Sequence, residues 1–91
     1  MLRKFMLNRI VNKLISSILV VNHENKEIEL LVLECAGITE IRGIFFVEYI
    51  CQDLDNYHYS ILISEHDLHE MLKTDDIMKH PGEAFIRKTI R

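Results

Sequence analysis

Glycine and proline are scarce in this chain, with 3 and 1 occurrences, and tryptophan is missing. So few glycines leave no Gly-rich phosphate loop, P-loop lysine or GxSxG turn, and no means of building a tight backbone cradle for a cofactor. The 2 cysteines, Cys35 and Cys51, fall in separate apolar runs without CxxC spacing. That spacing excludes a disulfide framework or a zinc knuckle and reads as buried thiols in a reducing, cytoplasmic compartment. Long apolar runs are also lacking. In the opening MLRKFMLNRIVNKLISSILVV, Arg3, Lys4, Asn8, Arg9, Asn12 and Lys13 interrupt the hydrophobic residues, and no small-residue cleavage site follows. Neither a membrane span nor a signal peptide is expected.

What is present is an ordered globular composition, 48% hydrophobic and 27% charged over 91 residues, which reads as a single domain over 1–91. A chain of this size buries only about 60 to 65% of the surface its unfolded form exposes. A homodimer is one source of further burial. The net charge of −3 conceals a segregation: all 14 carboxylates lie between Glu24 and Glu83, while Arg3, Lys4, Arg9 and Lys13 open the chain and Arg87, Lys88 and Arg91 close it. The simplest account is that basic ends and acidic middle neutralise one another within the fold or a dimer.

The chain is organised around GIFFVEYICQDLDNYHYSILIS, residues 43–64, which gathers aromatic and β-branched residues into two strand-length runs. Pairing Cys51 with Tyr57, Tyr49 with Tyr59, Val47 with Ile61 and Phe45 with Ile63 gives one apolar face, closed by a loop around Asp53, Leu54 and Asp55. The first of these strands also carries Ile44, Phe46 and Ile50 on its other side, so cover is expected on both faces. Upstream, residues 17–22 and 27–35 alternate as a second hairpin, with Val21 opposite Ile28 and Leu19 opposite Leu30. Ala36 and Gly37 are expected to end that strand, and Gly43 to form a turn or a bulge. Residues 2–15 carry a helical stripe of Met6, Leu7, Ile10, Val11 and Leu14. Ser64 caps a short helix over 64–73 with Asp67 in its first turn. Residues 74–80 add another turn, Pro81 and Gly82 break it, and Phe85, Ile86 and Ile90 at helical spacing predict a last helix, although a strand also fits.

The expected architecture is therefore α+β: an N-terminal amphipathic helix, a four-stranded antiparallel sheet in two hairpins, and one or two short C-terminal helices. Candidate chemistry is thin. His66 and His69 stand three apart beside Glu65 and Glu70, but the segment lacks the HExxH pattern and an i, i+3 histidine pair supplies too few ligands, so no metal is expected. Cys51 and His58 point to opposite strand faces and cannot form a thiol nucleophile with its base. Asp53 and Asp55 fit the turn chemistry of a DLDN loop. No catalytic residue and no cofactor are assigned.

The leading function is a non-enzymatic protein-binding module, a small intracellular regulator or inhibitor. Its candidate partner-binding residues are Phe5, exposed among the polar residues of the first helix, with Arg9, Lys13, Arg87 and Lys88. The alternative is a nucleic-acid-associated protein that uses the basic first helix and C-terminal tail, against which stands a pI near 5.9. Self-association as a homodimer is expected to cover the second face of the central strand. Alternatively, the segment after Gly82 folds back and completes a monomer.

Overall fold

Glu24 and Asn25 both take left-handed backbone conformations, φ 52 and 65, as a two-residue hairpin turn with the twist of its flanking strands requires. In the computed structural model, which describes residues 6–82 and 84–89, this turn joins β1 (Ile18–His23) to β2 (Lys26–Ile41). Val21 lies opposite Ile28 and Leu19 opposite Leu30, as their alternation predicts. A second turn of the same kind, Arg42 at φ 51 and Gly43 at φ 81, joins β2 to β3 (Ile44–Gln52). Gly43 is thus a turn residue. β4 (His58–Ser64) follows, then α1 (Glu65–Met71), β5 (Met78–Lys79) and β6 (Phe85–Lys88). The six strands form one sheet in the order β5-β1-β2-β3-β4-β6, with β5 parallel to β1 and the other pairs antiparallel.

β2 is the corner of this sheet. Its first half pairs with β1 up to Leu31, and from Leu31 to Ile41 it pairs with β3. Two register shifts, between Val32 and Glu34 and between Cys35 and Gly37, fall just after the handover. Such bulges bend a strand and increase its twist, which lets it leave one sheet layer for another. Gly37 serves the second bulge with φ 153, a value that side chains rarely adopt. As a result the β1 end curls over the β4 end: the His23 ring meets the Tyr59 ring edge-on at 5.6 Å. Val20 and Val21 of β1 share a cleft of about 420 Å³ with Pro81, Ala84 and Ile86.

The inward side of the curl is the core, holding Leu19, Val21, Leu30, Val32, Val47, Tyr49, Cys51, Ile61 and Ile63. Leu7, Val11 and Leu14 cover it from the N-terminal segment, and Leu68 and Met71 from α1. Tyr49 ties the first of these covers down, because its hydroxyl donates to the Val11 carbonyl at 2.8 Å inside the core. Burial pushes that hydroxyl well above its usual range and keeps it a donor. α1 is tied down at both ends. Ser64 Oγ accepts from the Asp67 N–H at 3.2 Å as its N-cap. At the other end the Lys79 ammonium, on a residue only 7% exposed, donates to the carbonyls of Met71 and Thr74 at 2.9 and 3.0 Å.

Several expectations are corrected here. Among the described residues the sheet is six-stranded and mixed, not a four-stranded antiparallel sheet, and most of these residues are strand. The long N-terminal helix is replaced: residues 6–8 are helical, but Val11–Leu14 is a 3-10 turn. The apolar stripe is real and buried, yet Asn8, Ile10, Val11 and Asn12 are indifferent helix formers, and Ser16 at φ 76 turns the chain into β1. After α1, the expected extra turn and last helix are instead β5 and β6. β6 folds back onto the open edge of β4, where the strand preference of Phe85 and Ile86 finds ladder partners. The central hairpin pairs Tyr49 with Ile61 and Cys51 with Tyr59, two residues from the expected register. β2 runs through Ala36 and Gly37 without ending, and Cys35 is only half-buried.

Tyr49→Phe removes the buried hydroxyl's bond to the Val11 carbonyl, and Lys79→Met leaves the Met71 and Thr74 carbonyls without the ammonium donor. Each is expected to lower stability by about 1–3 kcal/mol in urea unfolding. An unchanged midpoint for Tyr49→Phe would mean that the N-terminal segment is not held through this bond.

Candidate functional site

The sheet's outer side is built by residues that alternate with the core. β3 contributes Ile44, Phe46, Glu48 and Ile50; opposite them on β4 stand Ser64, Leu62 and Ser60; and β6 places Phe85 opposite Leu62 and Arg87 opposite Ser60. The Glu48–Ser60 position is polar and internally satisfied, with the Ser60 hydroxyl donating to the Glu48 carboxylate at 2.6 Å. On the side of it toward the β2–β3 turn the surface is apolar. Phe46 and Phe85 meet with ring centroids 6.1 Å apart at 61°, and Phe85 and Ile44 remain 65% and 50% exposed.

Because α1 starts directly after β4, its first turns stand beside this apolar wall. Together they form an open groove of about 750 Å³, with Ile44, Phe46 and Phe85 on one side and His66, Asp67 and His69 on the other. His66 and His69 are exposed. Among the described residues no group of three or more histidine, cysteine or carboxylate side chains is arranged to hold a metal ion. Glu70, on the same helix, has its carboxyl drawn below the usual range by the hydrogen bond and charge of Lys73 at 2.7 Å. The groove's resources are apolar surface and a polar, acidic and imidazole rim.

The basic partner-binding candidates do not form one patch. Phe5 lies outside the described residues. Arg9 and Lys13 are exposed, and Lys13 lines a cleft that also contains Asp75 and Asp76. Arg87 and Lys88 are exposed on β6. The Lys88 ammonium sits over the Tyr57 ring, 3.8 Å from its centroid, and its charge acts on Asp53. Two of the candidate cations therefore already have acidic neighbours within the chain.

Asp53 organises the loop before β4. Its Oδ1 accepts from the amides of Asp55 and Tyr57, both at 2.9 Å, and its Oδ2 accepts from the Tyr59 hydroxyl at 3.1 Å. Burial pushes this carboxyl up, but the two amides, the Tyr59 hydroxyl and Lys88 together bring it below the usual range. Cys51 is fully buried on the inner side, where burial pushes its thiol up to about 12. His58 pairs with Gln52 and so belongs to the other face, which keeps it from acting as a base for Cys51. A search of protein families, of curated proteins and of solved structures finds no match to this chain.

The reading of the residues missed Phe85 as a surface residue, because a helical spacing hides it. Read with a period of two, Phe85 and Arg87 fall on one face and Ile86 and Lys88 on the other, which is the signal that finds it.

The depressed Asp53 carboxyl implies stability that is present above the ordinary aspartate range, near 3.9, and is lost as pH falls through the lower folded value. Asp53→Asn is expected to be less stable than the natural chain at neutral pH. The gap should narrow in thermal melts taken progressively below about pH 4; a gap independent of pH would remove the charge from this account.

Proposed function

We propose that the protein is a non-enzymatic protein-binding module, a small regulator or inhibitor, and that it docks its partner in the groove between the outer sheet face and α1. One observation carries this reading: the exposed Ile44 and Phe85, together with the half-buried Phe46, form a contiguous apolar wall with a polar rim. Single exposed apolar residues are normal, as Leu54 and Ile77 are here, but a concave group of them beside polar side chains is the mark of a docking surface. The partner chemistry that fits is a segment with apolar side chains for the wall and basic ones for the rim, since Asp67 lines the groove and all 14 carboxylates lie in the stretch that contains it. Two free thiols, one buried and one half-buried, support a cytoplasmic setting.

The nucleic-acid reading ranks below this one. Its cations are spread between the N-terminal segment and β6, and Lys13 and Lys88 have carboxylates nearby.

Titration calorimetry with a panel of short peptides that combine Leu or Phe with Lys or Arg tests the proposal. The natural chain should bind members of the panel, while Phe85→Asp and Ile44→Asp should lose at least tenfold in affinity, about 1.4 kcal/mol, with melting temperatures unchanged because both side chains are exposed. Equal binding by the natural and variant chains would remove the groove. Tight binding of generic DNA that weakens steeply with salt would instead favour the nucleic-acid reading.

A further inference from the structure

At its bulges β2 changes from an interior strand to an edge. Pairing on the β1 side ends where the Val32 N–H donates to the Ser17 carbonyl and the Val32 carbonyl accepts from the Ser16 N–H, both at 2.9 Å. From residue 33 to 41 only β3 pairs with it among the described strands. Past the second bulge the ladder is regular, with Ile38 opposite Val47, Thr39 opposite Phe46 and Ile41 opposite Ile44. Ile41 and Ile44 flank the two-residue turn and so form its hydrogen-bonded closing pair. Alternation gives Thr39 the same role and turns the N–H and C=O groups of Ile38 and Glu40 away from β3.

Natural edges are guarded by charge, proline or bulges, because a free edge is a template for another strand. Here the two bulges and Glu34 guard the stretch before Gly37, whereas the regular stretch after it has only Glu40, and Ile41 is 46% exposed.

We propose that this edge pairs antiparallel with the same edge of a second copy of the chain, about a two-fold axis at Thr39. The register follows from the outward groups: Ile38 of each copy exchanges both hydrogen bonds with Glu40 of the other, Thr39 faces Thr39, and Ile41 lies over Gly37, where no side chain obstructs it. The edge is self-complementary: the outward groups of Ile38 and Glu40 are symmetric about Thr39, and the exposed Ile41 of each copy meets open space at Gly37 of the other. The result joins the two outer faces into one sheet and places two grooves on one assembly, so a partner with two docking segments would gain from avidity.

Sedimentation equilibrium on the full chain at micromolar to submillimolar concentration reads the assembly, independently of any groove ligand. The natural chain should dimerise. Glu40→Pro should be monomeric with an unchanged melting temperature at high dilution, since proline is tolerated on an edge whose N–H faces solvent. In a Cys35→Ser background, Thr39→Cys should form a covalent dimer on oxidation and Ile41→Cys should not. A natural chain that stays monomeric throughout, a dimer that survives Glu40→Pro, or cross-linking through position 41 in preference to 39 would each overturn the proposal.

Discussion

The fold depends on one strand serving two layers. β2 is 16 residues long, about three times the length of an average strand, and a single straight neighbour could not use it all. By spending its first half on β1 and its second on β3, with bulges between, the chain obtains two faces that close on each other from a single meander. The curl is what brings Tyr59 to His23 and the segment around Pro81 between β1 and β6. A flat sheet of the same strands would leave Val21 and Ile61 without opposing layers, and the three residues Leu7, Val11 and Leu14 could not cover it.

The same curl sets which side of the sheet is covered. The inside of a curled sheet is the smaller area, and here the N-terminal segment and α1 both cover it. Among the described residues, Ile44 and Phe85 stay exposed on the outer side. Polar satisfaction follows a similar economy. The Tyr49 hydroxyl, the Lys79 ammonium and the Asp53 carboxylate each answer backbone groups that the sheet does not, at the N-terminal segment, the end of α1 and the loop before β4 respectively.

Much of the local structure is legible in the residues. The first hairpin's register is given by Leu19, Val21, Ile28 and Leu30 because this pairing puts all four on one apolar face. The central hairpin has the right face inward but is displaced by two residues. Asp53 accepts amides from both Asp55 and Tyr57 and thereby widens the loop, and a shift of two preserves which side chains face the core. The ends resist reading for a different reason. An apolar stripe at 3.6-residue spacing says which side chains are buried without saying that the backbone is helical, and Phe85 and Ile86 become strand only because β4 offers an edge. The groove is less legible: Arg9, Lys13, Arg87 and Lys88 do not line it, and it needs Phe85, Ile44 and α1 together, a neighbourhood that exists only once β6 has folded back.

Edge and groove are consequences of the same bulges. Had β2 stayed paired with β1 throughout, its far half would have had strands on both sides and no free N–H or C=O groups. Leaving β1 after Val32 frees that half as an edge while it still supports β3. β3 in turn extends past the end of β4, since Ser64 lies opposite Phe46 and Ile44 is left beyond the ladder, beside the start of α1. The overhang makes Ile44 an exposed wall residue. Lengthening β4 by two residues would cover Ile44 and move α1 away from the apolar wall. The capping of α1 by Ser64 is thus a positional constraint on the groove as well as a helix start, because it fixes where the sheet ends and the rim begins.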